Sequence, residues 1–181
     1  VLDRLPVGAG MTGRTTAHRA SALDDRYTRI ERLHGPEGAR LAAASHTAAI
    51  ARIAELVASE TIDCGFQHLD GWLFNPPGED SGVLEDELAA AARAGLAVDL
   101  QPRAPIEHFD TGPAVRFARQ AQFHPLRYLA GLADVIQRHG GRLFTGTAVT
   151  NVRGGNGATV ETENGATVSA GPSEVRLVFS E

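Results

Sequence analysis

The chain has 181 residues, 43% of them apolar and 22% charged, ordinary proportions for a protein that buries a core. The basic residues are all Arg, 17 against 22 acidic residues for a net charge of −5, which argues against broad nucleic-acid binding, where a basic patch supplies most of the affinity. The single cysteine, Cys64, rules out an intramolecular disulfide framework and a Cys-rich metal site, and it fits a reducing compartment. No apolar run approaches the roughly 18–20 residues needed to cross a bilayer, and the first residues lack the pattern of a signal peptide. A soluble, cytoplasmic protein with no membrane partner is the expectation. The chain opens on Val1-Leu2-Asp3, like the tail of a strand, and closes just after another strand-like run, which together suggest a piece of a larger fold.

Residues 4–18 are rich in Gly and Thr and read as a loop. A short helix is expected over 24–33, stopped by Gly35-Pro36. A long one follows from Pro36 to about Glu60, with Ile50, Ile53, Ala54 and Val57 as its buried stripe. Residues 64–77 turn to strand character, ending at Pro76-Pro77-Gly78. Asp80 and Ser81 can cap the next helix, whose apolar side would be Leu84, Leu88, Ala92 and Leu96. Strands are expected over 98–104 and 114–123. Pro125 then opens a helix at its first position, with Leu126, Leu129, Ala133 and Ile136 as its buried face and His139-Gly140-Gly141 as its end. The remainder is β-like, with strands at 142–145, 149–153, 158–162 and 166–170, a hairpin at Glu163-Asn164-Gly165, and a last apolar strand over 175–179. Helices and strands alternate, so the fold class is α/β or α+β.

Residues 8–13, Gly-Ala-Gly-Met-Thr-Gly, match G-x-G-x-x-G. A dinucleotide-binding turn needs an apolar strand before it and a helix with a buried face after it. Asp3, Arg4 and Pro6 make a poor central strand, and the run from Arg14 to Arg19 makes a poor buried helix, so a flexible loop is the simpler reading.

A wider pattern is more specific. VLDRLPVGAGMTGRTTAH, Leu23-Asp24-Asp25-Arg26-Tyr27, SHTAAIARI, IDCGFQHLDGWLF, LEDELAAAARAGL and RQAQFHPLRYLAGLADVIQRHGGRLFTGTAV occur in one order and spacing over residues 1–170. Together they resemble the FAD-dependent oxidoreductases of the D-amino-acid oxidase superfamily, particularly bacterial members whose full-length chains often carry a Rieske iron–sulfur domain. The resemblance implies an FAD/NAD(P)-binding, Rossmann-like α/β domain fragment carrying an α+β substrate-domain insertion. The FAD-binding part would comprise residues 1–62 and 125–181, and the substrate part residues 63–124. It implies FAD as cofactor and oxidation of an amine or amino-acid-like substrate. A Rieske-type domain is implied as partner, and self-association is the expectation for a remnant whose sheet edges stay unpaired.

The same resemblance puts Asp3 at the end of the second strand of the FAD-binding sheet, where a carboxylate accepts hydrogen bonds from both adenosine ribose hydroxyls, although the family more often has Glu there. Gly13, Arg14, Thr15 and Thr16 would lie along the cofactor, and the backbone of Val149 would meet the adenine edge. His18 corresponds, with a one-residue gap, to a loop His that carries flavin covalently in some relatives; a loop hydrogen bond or a surface position is its simpler reading. The family's own glycine turn, which precedes the acidic strand end, and its C-terminal half are not matched, so a non-catalytic remnant or interaction module stands as the alternative. No catalytic base is named.

The remaining candidates have plain readings. Asp24 and Asp25 read as a helix cap beside an ion pair to Arg26, His124 as a cap or packed imidazole, and His46 as structural. Trp72 and Phe74 read as core aromatics and Cys64 as a small buried hydrophobe. The seven His residues show no metal-binding spacing, and no metal site is expected.

Overall fold

A computed structural model describes residues 1–15, 17–76, 82–155 and 157–171. The chain divides into two units, one built from residues 17–61 and 65–123 and the other from residues 1–16, 62–64 and 124–181.

The unit of residues 17–61 and 65–123 contains strand β1 (His18–Arg19), helix α1 (Tyr27–Ser59), strand β2 (Gln67–Phe74), helix α2 (Gly82–Arg93) and strands β3 (Val98–Gln101) and β4 (Ala114–Gln122). β4 lies at the centre, antiparallel to β1, β2 and β3. Its length and its buried Val115 and Phe117 suit that place, since a central strand has neighbours on both edges. Val115 and Phe117 meet Tyr27, Ala39 and Ala43 of α1 and Leu84, Ala90, Ala91 and Ala94 of the α2 region in one core. Five of those seven helical residues are alanine, which lets backbones approach closely. The strand expected from residue 64 begins only at Gln67, because Gly65, at φ +63°, turns the chain just ahead of it. The strand expected over 98–104 stops at Gln101, where its pairing with the first residues of β4 runs out.

The two helices expected around Gly35-Pro36 are both present, joined as the two stretches of α1 with a break at Gly35, whose φ of +73° is not helical. The first begins at Tyr27 and not at Asp24. Arg26, at φ +61°, provides no side-chain cap, and Asp25 pairs with Arg29 at 3.0 Å and not with Arg26. The cap comes from another helix. Glu87 of α2, 1% exposed, accepts the backbone N–H of Tyr27 (2.7 Å), that of Thr28 (3.0 Å) and the Thr28 hydroxyl (3.0 Å). Beside it the Tyr27 hydroxyl donates to the Ser21 carbonyl at 2.7 Å, and the Ser21 N–H donates to Gln120 Oε1 at 2.5 Å. Gln120 Nε2 donates in turn to the Ser21 hydroxyl at 3.1 Å and to the Ala118 carbonyl at 2.8 Å.

Burial follows the expected faces in part. Ile50 is buried, while Ile53, Ala54 and Val57 are half-buried. On α2 the inward face is Leu84, Glu87, Ala90 and Ala91, and Ala92 is exposed, because the inward turn follows Glu87 to α1. Residues 77–81, including the expected caps Asp80 and Ser81, lie outside the described residues. By length and composition alone α1 is long and apolar enough to cross a membrane, with an 18-residue stretch of mean hydropathy 1.2. Alanine makes up much of that stretch, so no run of large apolar residues marks it in the sequence. Arg52 and Glu55 on the same helix form an exposed ion pair at 3.2 Å, a costly load for hydrocarbon.

The other unit contains a four-residue 3₁₀ turn (Met11–Arg14), helix α3 (Pro125–Arg138) and a meander of strands β5 (Val149–Arg153), β6 (Ala158–Thr162) and β7 (Thr167–Ala170). Pro125 opens α3 as expected, and His124 caps it, its Nδ1 accepting the Arg127 N–H at 3.3 Å. The expected hairpin joins β6 to β7. Gly165 takes a φ of +82°, and Asn164 Oδ1 accepts the Thr162 hydroxyl at 2.6 Å and the Ala166 N–H at 3.3 Å. The strand expected over 142–145 is reduced to a single parallel bridge between Phe144 and Leu2. Four hydrogen bonds still fix that pairing: Phe144 N–H to the Val1 carbonyl (2.9 Å), Asp3 N–H to the Phe144 carbonyl (2.9 Å), Thr147 N–H to the Asp3 carbonyl (2.9 Å), and the Val1 ammonium to the Arg142 carbonyl (2.7 Å). No residue of α3 is buried, and Leu126 is 42% exposed, against the expected buried face. The last expected strand, over 175–179, lies outside the described residues.

Two measurements test the Glu87–Tyr27 arrangement. Glu87→Ala leaves one buried and one half-buried N–H donor without partners, a loss of about 1–3 kcal/mol for a buried one. It should lower Tm by roughly 5–10 °C, read by circular dichroism. Burial first, and then the nearby Glu87 carboxylate, push the Tyr27 hydroxyl from its ordinary 10.0 up to about 12. That stabilisation is complete below pH 10.0 and is lost as the pH rises through about 12, because the unfolded phenol ionises first. Tm should therefore fall across that interval, and Tyr27→Phe should flatten the fall.

Candidate functional site

Asp3 follows the isolated parallel bridge at Leu2, so its carboxylate sits at the carboxyl end of that short paired stretch. It is exposed, and Oδ1 accepts the N–H of Leu5 at 2.9 Å, a local turn that holds the side chain in place. The loop that follows packs on α3. A Cβ at Gly8, whose φ is +80°, would stand 2.6 Å from Leu126 Cδ2, and one at Gly13 would stand 3.2 Å from the Gly8 carbonyl oxygen. The residues of the G-x-G-x-x-G match therefore form a turn and a short 3₁₀ segment, with no α-helix after Gly13. They do not build a strand-to-helix phosphate turn.

Arg14 ends the 3₁₀ segment, and Thr15 continues in extended conformation. Thr16 lies outside the described residues. Val149 begins β5 opposite Thr162, at the edge of its sheet. Asp3, Gly13, Arg14, Thr15 and Val149 thus share one unit. His18 belongs to the other, where it is exposed and pairs with Gln122 of β4. Cys64 is buried, as expected, and His46 is exposed on α1. Among the described residues no group of three or more His, Cys, Asp or Glu side chains gathers in a way that could hold a metal ion.

A second set of residues lies on the β1–β4 sheet, on the face away from α1 and α2. Leu73 of β2 packs against the helical core, so the alternation of the strand puts His68, Asp70, Trp72 and Phe74 on the opposite face. Arg116 of β4 is paired with Trp72 on one side and with Asp99 of β3 on the other. Its guanidinium contacts Asp99 Oδ1 at 2.8 Å and Asp70 Oδ2 at 3.3 Å. Hydrogen bonds from Gln101 and then from Arg116 hold the Asp99 carboxyl below the usual carboxylate range. His68 Nδ1 lies 3.2 Å from the Gln120 carbonyl, which fixes the Nδ1–H tautomer of the neutral ring and leaves Nε2 as an acceptor. Trp72 and Phe74, read from sequence as core aromatics, are half-buried on this face. The signal that could have found it is the alternation in QHLDGWLF, where every second residue is polar or aromatic and the others are Leu or Gly, apart from the first.

Over residues 1–178 the sequence matches the family described as FAD dependent oxidoreductase. The chain belongs to that family. It is 30% identical over 155 residues to a putative Rieske 2Fe-2S iron-sulfur protein of Bacillus subtilis, an alignment covering 86% of this chain and 30% of that protein. Among solved structures it is similar to glycine oxidase from Geobacillus kaustophilus, with TM-score 0.69, 18% identity, and coverage of 93% of this chain and 45% of that one. It is also similar to L-amino acid deaminase from Proteus vulgaris, with TM-score 0.65, 14% identity, and coverage of 91% and 38%. The α/β fold is therefore that of the FAD-dependent oxidoreductases, and the chain spans less than half the length of each of these proteins.

The packing of the glycine loop on α3 gives a paired test. Gly8→Ala forces a side chain into positive φ and against Leu126, and should cost about 1–2 kcal/mol. Gly10→Ala, with nothing within 4 Å of the new Cβ, should leave Tm unchanged within error.

Proposed function

We propose that this chain contributes the adenosine-binding edge and the substrate-facing sheet of an FAD-dependent oxidoreductase acting on an amine or amino-acid-like substrate. The observation that carries this reading is the parallel pairing of Val1–Asp3 with residues 142–147, a single bridge with its flanking hydrogen bonds, which leaves the exposed Asp3 carboxylate at the carboxyl end of that paired stretch. In open α/β sheets that end is where nucleotides bind, and an acidic residue there suits a ribose diol. Residues 1–62 and 125–181 form the FAD-binding part in this reading, and residues 63–124 the substrate part.

The residues fit the cofactor. Asp3 would hold the ribose, the backbone of Gly13, Arg14, Thr15 and Thr16 would run along the cofactor, and the open backbone edge of β5 at Val149 would meet the adenine. Bound FAD supplies the hydride acceptor, and the protein supplies orientation and the exclusion of water. His18, exposed on β1, takes the surface position of its simpler reading and has no role at the cofactor. On the substrate face His68 Nε2 can accept a proton, and Arg116 is held rigid by its two carboxylates. The name of the Bacillus subtilis relative supports a Rieske-type domain as partner. The single, buried Cys64 supports a cytoplasmic setting.

A second reading, a non-catalytic interaction module, is favoured by α3, whose apolar side has no buried residue. FAD titration separates the two. The purified chain should retain visible flavin absorbance after desalting. Asp3→Ala, which removes a charged acceptor worth about 1.5–3 kcal/mol, should weaken FAD roughly tenfold or more. A colourless chain that takes up no added FAD and self-associates in sedimentation would support the interaction module.

A further inference from the structure

The central strand β4 contains an irregularity in its pairing with β2. Leu69 pairs with Gln120 and Gly71 with Phe117, so Ala118 and Arg119 together stand opposite the single residue Asp70. At this bulge Arg119 has a φ of +57°, and among the described residues it is the only non-glycine residue inside a strand with positive φ. An arginine there is strained by its Cβ, and nothing in the local chain requires a long cationic side chain. Asp70 Oδ1 accepts the Arg119 N–H at 3.3 Å, which steadies the bulge through the backbone alone. Strain of this kind persists where a side chain is used, and bulges commonly re-aim a side chain beside a ligand site.

The charges nearby sharpen the point. Arg116 is committed to Asp99 and Asp70, whereas the Arg119 guanidinium is exposed and has no partner among the described residues. The two arginines of β4 therefore differ in kind: Arg116, paired with Trp72, is neutralised and rigid, whereas Arg119, opposite Asp70 at the bulge, is uncommitted. We infer that Arg119 is an anion-binding side chain, and that the ligand of this sheet carries a carboxylate next to an apolar or aromatic group. The inference rests on the reading of residues 63–124 as substrate-facing, and it adds a specificity-determining residue to it.

Trp72 is the only tryptophan in the chain and lies two residues along β2 from Asp70, about 7 Å away by strand geometry, so its fluorescence reports on this face without any flavin. The 181-residue chain is titrated with phenylacetate and with phenethylamine, which share a ring and differ in charge. Phenylacetate should give a saturable change that weakens with added salt, and phenethylamine should give none. Arg119→Asn keeps a residue that tolerates positive φ, so Tm should rise by a few degrees while phenylacetate affinity falls tenfold or more. Arg119→Lys should keep a saturable response, which guards against a folding failure of the first variant. Equal responses to the two probes, or unchanged phenylacetate affinity in Arg119→Asn, would overturn the inference. Because FAD uptake is measured separately, a chain that binds phenylacetate but no flavin would sink the cofactor reading and leave Arg119 standing.

Discussion

The buried carboxylate of Glu87 is the contact on which the unit of residues 17–61 and 65–123 depends. A helix start leaves backbone N–H groups without partners, and Arg26 offers no side chain to satisfy them. Glu87 supplies the missing acceptors from 60 residues away, at the cost of burying a charge, which three donors and the dipole of α1 offset. Gln120, 99 residues from Ser21, does the same for the segment just before the helix, and the Tyr27 hydroxyl ties the two ends together through the Ser21 carbonyl. The turn between β1 and α1, which a composition-based reading would leave mobile, is thereby fixed by two distant elements. A fully satisfied polar network of this type specifies one arrangement more sharply than apolar packing alone.

The elements that depend on local chemistry were legible in the sequence. Pro125 with His124, the break at Gly35-Pro36 and the hairpin at Asn164-Gly165 each follow from fixed φ, a missing N–H or tolerance of positive φ. The family was legible too, because its segments keep their order along the chain. What escaped needed long-range information. The start of α1 shifted from Asp24 to Tyr27 because its cap sits on α2. The inward face of α2 turned from Ala92 toward Glu87, since a buried Glu is indistinguishable by composition from a solvated one. Residues 142–145 carry strand-like composition, yet they form only one parallel bridge, to Leu2.

The two faces of the antiparallel sheet show how a half-covered sheet separates stability from chemistry. On one face Leu73, Val115 and Phe117 meet a helical layer rich in alanine, where small side chains bring helix and strand backbones close. On the other, half-buried aromatics alternate with charges that are paired across strands, Asp70 and Asp99 bracketing Arg116. Cross-strand ion pairs that are more than a third exposed contribute little to stability. Their effect is geometric: they hold Arg116 flat against the sheet and withdraw its charge from anything that approaches.

That withdrawal makes the bulge informative. Had Arg116 been unpaired, a second arginine in a strained conformation three residues later would be redundant for recognising an anion. With Arg116 neutralised by two carboxylates, the extra residue opposite Asp70 adds an arginine that has no ion-pair partner among the described residues. Asp70 serves both sides of this arrangement, one oxygen on the guanidinium it neutralises and the other on the backbone of the residue that replaces it. A single carboxylate thus couples the rigid part of the surface to its irregular part. The sequence spacing RFAR, in which a regular strand would put the two arginines on opposite faces, is reconciled with a common role only by the inserted residue.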